Sequence, residues 1–164
     1  MLTLIVLFLN LPIPAQSKNT TPTNFPELKF EHLGVEHGLS QSIVNCVLQD
    51  QNGFMWFGTM DGLNRYDGYR FNIYKNDPSD SLSLANNFIT ALYEDHLGDL
   101  WVGTRDGGLC RYDRNQDSFI RYVYDKENLK VNANWIGSIT QDYSGRVLTA
   151  PLIFPNAFRM STVN

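Results

Sequence analysis

Residues 50–68 read "DQNGFMWFGTMDGLNRYDG", and nearly the same text, "DHLGDLWVGTRDGGLCRYD", returns at residues 95–113. An offset of 45 residues carries Asp50 onto Asp95, Gly53 onto Gly98 and Trp56 onto Trp101. It also carries Gly58 onto Gly103, Thr59 onto Thr104, Asp61 onto Asp106 and Gly62 onto Gly107. One inserted glycine then moves Leu63, Arg65, Tyr66 and Asp67 onto Leu109, Arg111, Tyr112 and Asp113, at an offset of 46. A third copy opens in "NWIGSITQDYSGRVL", where Asp142 and Gly145 repeat the D-x-x-G. A register held over so many positions marks a duplicated unit, and self-similarity at this period is the first fact to explain.

Punctuation divides one unit into four short strands. "IVNCVLQD" (43–50) stops at Gln51-Asn52-Gly53, "FMWFGT" (54–59) at Asp61-Gly62, "LNRYD" (63–67) at Asp67-Gly68, and "YRFNIYK" (69–75) closes the unit. Asn-Gly and Asp-Gly between apolar runs are strong hairpin signals, because a tight type I′ turn requires positive φ at both central residues. Strands apolar on both faces must be covered on both faces. A four-stranded meander of this length, sandwiched between its own copies, is a β-propeller blade, with Trp56 and Trp101 between neighbouring blades. The expected fold is therefore all-β, an incomplete array of two full blades plus part of a third.

The string "GLSQSIVNCVLQDQNGFMWFGTMDGLNRYDG" closely resembles the two-component regulator propeller repeat. Its D-x-x-G-x-x-W-x-G-T-x-x-G-L core with the R-Y-D tail is that family's hallmark, and the resemblance covers residues 30–148. It implies the periplasmic sensor half of a hybrid two-component histidine kinase, built as seven-bladed propellers ahead of an immunoglobulin-like domain, a membrane helix and the kinase. It also implies oligosaccharides as the sensed ligands. No catalytic histidine box or nucleotide-binding glycine motif accompanies the repeats, so the chain is not expected to be an enzyme even though its parent would be a kinase.

The 164 residues are 43% hydrophobic, 18% charged and 13% aromatic, with a net charge of −4. Rings combined with twelve glycines favour strands over helices. Lys and Arg form no cluster, which argues against a nucleic-acid surface. Residues 1–15, apolar from Leu2 to Leu11 and broken at Pro12 and Pro14, read as a signal peptide or short anchor, too short to span a bilayer. Residues 16–27, rich in Thr, Asn and Pro, read as a linker. Blades are expected at about 42–86, 87–133 and, in part, 134–148, within a repeat region of 28–148. Lys29 to Leu33 takes the place of a final outer strand whose own blade is absent. Residues 149–164 lose the pattern and read as a divergent or out-of-frame tail, in which Pro151 is expected to block strand pairing. Closed propellers need about four to eight blades, so the chain reads as an N-terminal fragment.

Asp50, Asp95 and Asp142 lack the alternating oxygen ligands and closing Glu of a calcium loop. They suit turns, where Asp accepts backbone N–H bonds two residues on, and Asp61 and Asp106 read as hairpin turns. The D-x-x-G-x-x-W spacing also resembles the Asp-box of sialidase-like propellers. A glycosidase needs two carboxylates facing across one bond, whereas these acids recur by period. Arg65 and Arg111 are repeat positions expected to pack or to pair with Asp67 and Asp113. His32, His37 and His96 show no metal spacing, and Ser40 and Ser42 sit in no nucleophile elbow. Cys46 and Cys110 are expected free and buried. Tyr69, Tyr74, Tyr93, Tyr122, Tyr124 and Trp135 offer stacking platforms for sugars, with strand packing as their commoner use. No catalytic, cofactor or metal residue is assigned, and the ligand-binding residues stay unnamed.

The sequence thus reads as part of a periplasmic ligand-sensing propeller without its kinase. Its partners would be an oligosaccharide, the remaining blades and kinase of the parent protein, and copies of itself, since about three repeats are the minimum for a stable array. The alternative is a fragment of a carbohydrate-active propeller enzyme, a glycosidase or lyase.

Overall fold

The structure, a computed structural model, describes residues 29–123, 134–151 and 161–163. The signal peptide, the linker, Tyr124 and most of the tail expected from the sequence lie outside the described residues. The chain divides into two compact units, Met1–Glu31 and His32–Asn164. Of the first, only residues 29–31 are described, and they carry no regular element.

Among its described residues the second unit is all-β apart from one 3-10 turn, Val35–His37. Its first sheet is a meander of β1 (Val44–Gln49), β2 (Met55–Thr59), β3 (Gly62–Tyr66) and β4 (Phe71–Tyr74), hydrogen-bonded in that order. The second repeats it with β5 (Ile89–Glu94), β6 (Leu100–Thr104), β7 (Leu109–Asp113) and β8 (Ser118–Tyr122). A third sheet holds β9 (Ile136–Gln141), β10 (Val147–Pro151) and β11 (Ser161–Val163), with β10 in the middle. Every pairing is antiparallel. These are propeller-type sheets, and among the described residues they do not close a ring.

The duplication extends to irregularities. β1 carries a register shift between Val44 and Cys46 against β2, and β5 carries the same shift between Ile89 and Ala91 against β6. The β1–β2 and β5–β6 turns each end on a left-handed glycine, Gly53 at φ 87° and Gly98 at φ 84°. A Cβ there is strained, which explains why both copies keep glycine.

Two contacts stack sheet on sheet. Ile89 leans on Gly58, where an added Cβ would lie 2.6 Å from Ile89 Cγ2 and 2.5 Å from Cys46 Sγ. Ile136 leans on Gly103 in the same way, 2.8 Å from such a Cβ. The glycine of W-x-G-T is thus the socket for the first β-branched residue of the next sheet. Backbone ends are tied alongside, with Asn45 donating to the Ile89 carbonyl and Thr90 to the Ile136 carbonyl. The core between the first two sheets holds Trp56, Leu63, Leu84, Ile89, Leu100 and Phe119, and a second cluster of Trp101, Leu109, Ile136 and Val147 joins the third.

Residues 29–33 form no strand, in keeping with the absence of the blade they would complete from the described sheets. One expectation is corrected. Pro151 does not stop pairing: it is the last residue of β10, opposite Ile136, past a register shift between Ala150 and Pro151. A proline lacking N–H is tolerated at such an irregular strand end.

Candidate functional site

The repeated aspartates close their own turns, and they do one thing more. Asp50 Oδ1 accepts the backbone N–H groups of Asn52 and Phe54, both at 3.0 Å, while its Oδ2 accepts the Trp56 indole N–H at 2.9 Å. Asp95 repeats this with Leu97, Asp99 and, at 2.8 Å, the Trp101 indole. Each tryptophan is thereby anchored by the carboxylate six residues before it, and both indoles are buried. The D-x5-W spacing was visible in both copies, and reading it as a hydrogen bond would have revealed the pin. In the third copy Leu148 stands six residues after Asp142. There the Arg146 guanidinium fills the vacated role, with Nε 2.7 Å from Asp142 Oδ2.

Asp50 also crosses between sheets. Arg114, in the β7–β8 turn, places Nη1 2.8 Å from Asp50 Oδ2 and Nη2 3.0 Å from Glu94 Oε1. Burial alone would raise the Asp50 carboxyl, but the bonds from Trp56 and Arg114 outweigh it and hold the group below its usual range. Asp142 is lowered chiefly by its bonds from Ser144 and the Arg146 backbone.

A second cross-sheet cluster surrounds Trp56. The Tyr112 ring meets the indole edge-on at 5.0 Å, and the Tyr74 ring stacks on it at 5.9 Å. Both phenols donate to Asp117 Oδ1, and Arg65 Nη1 donates to the Tyr112 hydroxyl at 2.7 Å. Asp117 holds this position at φ 51°, a left-handed conformation unusual for a side chain. Burial first, then the bonds to Tyr112 and Asp117, push the Tyr74 phenol far above its ordinary value. Burial also leads the rise at Tyr112.

The arginines pack as expected, Arg65 over the Phe54, Trp56 and Tyr74 rings and Arg111 over Trp101, but their acid partners are not Asp67 and Asp113. Arg65 pairs with Asp117 and Arg111 with Asp99, the latter at 2.8 Å. Asp67 and Asp113 instead cap their own turns through the N–H groups of Tyr69, Arg70, Asn115 and Gln116. Cys46 is free and half-buried, Cys110 free and fully buried; burial raises each thiol to about 11. Asp61 bonds Lys75 at 2.7 Å, and Asp106 takes φ 66° beside the inserted glycine. Ser40 is tied to Asn64 and Thr59, a structural post at the entry to the first sheet.

Two openings flank the sheets. A polar cleft of about 510 Å³ lies at the turn end, lined by Gln51, Asn52, Asp99, Arg111, Arg114 and Asn115 among others. A more apolar pocket of about 310 Å³ lies at the other end of the inner strands, lined by Asn45, Phe88, Thr90, Trp135 and Gly137. The Arg105 guanidinium lies over both rings of that pocket, 4.7 Å from Trp135 and 5.4 Å from Phe88. Asp50, Asp95 and Asp142 line neither opening. Of the tyrosines considered for stacking, Tyr74 and Tyr122 pack against Trp56 and Trp101, Tyr93 packs beside the second core cluster, and Tyr69 is exposed. His32 and His37, which sequence spacing did not link, are brought together with Glu36 on the surface, while His96 sits apart in the β5–β6 turn.

Sheet-on-sheet stacking of four-stranded meanders through a glycine socket and a carboxylate-anchored indole defines a β-propeller blade array. The family model for the two component regulator propeller matches residues 38–61 and 83–106, which hold the first two strands of the first and of the second sheet. Over 81 residues it is 42% identical to Histidine kinase P4 of Formosa agariphila, covering 49% of this chain and 6% of that protein. Two solved extracellular domains of B. thetaiotaomicron hybrid two component systems are also similar. The first has 33% identity and a TM-score of 0.65 over 73% of this chain and 17% of its own. The second has 30% identity and a TM-score of 0.56 over 66% of this chain and 15% of its own. The chain spans under a fifth of each of these relatives.

Proposed function

We propose that this chain is part of the ligand-sensing propeller of a hybrid two-component sensor, acting outside the inner membrane, and that its ligands are oligosaccharides. It contributes recognition and no catalysis. The observation that carries this reading is the pairing of the propeller repeats with relatives described as extracellular domains of such systems. The polar cleft at the turn end supports the ligand class. Amides, guanidinium groups and carboxylates there offer donors and acceptors for hydroxyls, and its volume lies within the usual range for small-molecule sites.

The acids support recognition over hydrolysis. Asp50 and Asp95 each spend both carboxylate oxygens on a turn and an indole, which leaves neither facing a second acid across a bond. The remaining blades of the parent protein and its kinase would be the partners that convert binding into a signal. Calorimetric titration of oligosaccharides, alongside an assay for their cleavage, tests the proposal. Saturable binding without turnover, weakened by Asn115→Ala in the cleft, is expected. Cleavage of glycans would overturn it.

A further inference from the structure

Residues 32–37 contain the one group of metal-ligating side chains that the fold assembles among the described residues. One nitrogen from His32, one from His37 and a carboxylate oxygen from Glu36 lie within 4.8 Å of one another, all exposed. Two edges of this triangle are known: Glu36 Oε1 is 3.5 Å from His32 Nδ1 and 3.3 Å from His37 Nδ1. Ligands at the usual zinc bond length of about 2.0–2.1 Å sit roughly 3.3–3.4 Å apart at the corners of a tetrahedron. The two edges match that spacing with little adjustment.

The local backbone explains the arrangement. The 3-10 turn Val35–His37 places Glu36 and His37 side by side, and Gly38 at φ 103° ends it. The loop is tied down just beyond, where Ser40 bonds Asn64 and Thr59 of the first sheet. We propose that His32, Glu36 and His37 form an open-sided site for a divalent transition-metal ion of the zinc class, clamping the chain where it enters the first sheet. Two imidazoles and one carboxylate suit zinc-like ions over calcium or magnesium, which prefer oxygen-rich shells. Three protein ligands leave a fourth position for water.

The His37 Nδ1 lone pair already accepts the Gly34 amide N–H at 3.1 Å. The neutral ring therefore carries its proton on Nε2: an ion at Nδ1 displaces that amide, and an ion at Nε2 moves the ring proton to Nδ1, so either mode breaks this bond. Metal binding thus has a signature that a plain surface ion pair lacks: the Gly34 amide loses its partner.

The experiment is a titration of the 164-residue chain with Zn²⁺, and with Ca²⁺ in parallel, read by calorimetry and by the amide NMR spectrum. One saturable Zn²⁺ site is expected, weakened at least tenfold in His32→Ala and in Glu36→Gln, with a shift of the Gly34 amide at saturation. Both variants change exposed side chains, and unaltered circular dichroism confirms their fold. Absence of a saturable Zn²⁺ site, affinity unchanged in both variants, or equal affinity for Ca²⁺ would each overturn the proposal.

Discussion

Asp50 performs three tasks with two oxygens: it closes the β1–β2 turn, anchors the Trp56 indole and receives Arg114 from the neighbouring sheet. Removing the indole donor while keeping a ring isolates one of them. Trp56→Phe should cost about 1–3 kcal/mol, the usual loss when a buried acceptor is deprived of a partner; Trp56→Ala adds the cavity and should cost about 3–5 kcal/mol. Chemical denaturation of the two variants checks the order. The pH dependence follows from the direction of the shift. A carboxyl held below its unfolded value stabilises the folded chain fully above about pH 3.9, and that contribution is lost as pH falls through the lower folded value. Asp50→Asn should therefore be less stable at neutral pH and show a shallower loss of melting temperature on acidification. An unchanged acid profile would contradict the pin. Cys110, with its thiol raised to about 11 by burial, should resist alkylation at pH 8 until the chain unfolds, as mass spectrometry after iodoacetamide would show.

Among the elements, the turns and strands were legible because their chemistry is local. Gly53 and Gly98 announce left-handed turns, although Asn52 lacks the positive φ that a type I′ turn would require, and the apolar runs of the first unit became β1–β4 within a residue or two of the expected bounds. The cross-sheet contacts were not legible. Arg114 reaches Asp50 across 64 positions, and Arg65 finds Tyr112 and Asp117 because Asp67 is engaged by its own turn. No spacing rule encodes such pairs, since they depend on how one sheet lies on the next. The socket role of Gly58 belongs to the same class, and it makes a direct prediction. Gly58→Ala places a Cβ against Cys46 and Ile89 with no room to spare, and should cost about 1–3 kcal/mol as overpacking. Strand burial predicts graded protection as well. Every residue of β6 is buried whereas β1 is largely exposed, so amide exchange should be slowest in β6 and faster in β1.

At the scale of the whole molecule, the stacking rule extends to the outer face of the first sheet. Ile43 and Val47 are about half exposed there, although their counterparts one repeat on, Phe88 and Leu92, are more covered by the neighbouring strands. A repeat array gains stability from neighbour interfaces, so this 164-residue chain should self-associate in a concentration-dependent way. Sedimentation across a concentration series checks it, and a monomer at all concentrations would contradict it. The central claim is that the repeated residues bind sheet to sheet. A double-mutant cycle on Asp50→Asn and Arg114→Met, read by denaturant unfolding of the same chain, addresses that claim directly, because the two residues lie in different sheets. The predicted result is a coupling clearly above about 0.5 kcal/mol; losses that simply add, within about 0.3–0.5 kcal/mol, would contradict it.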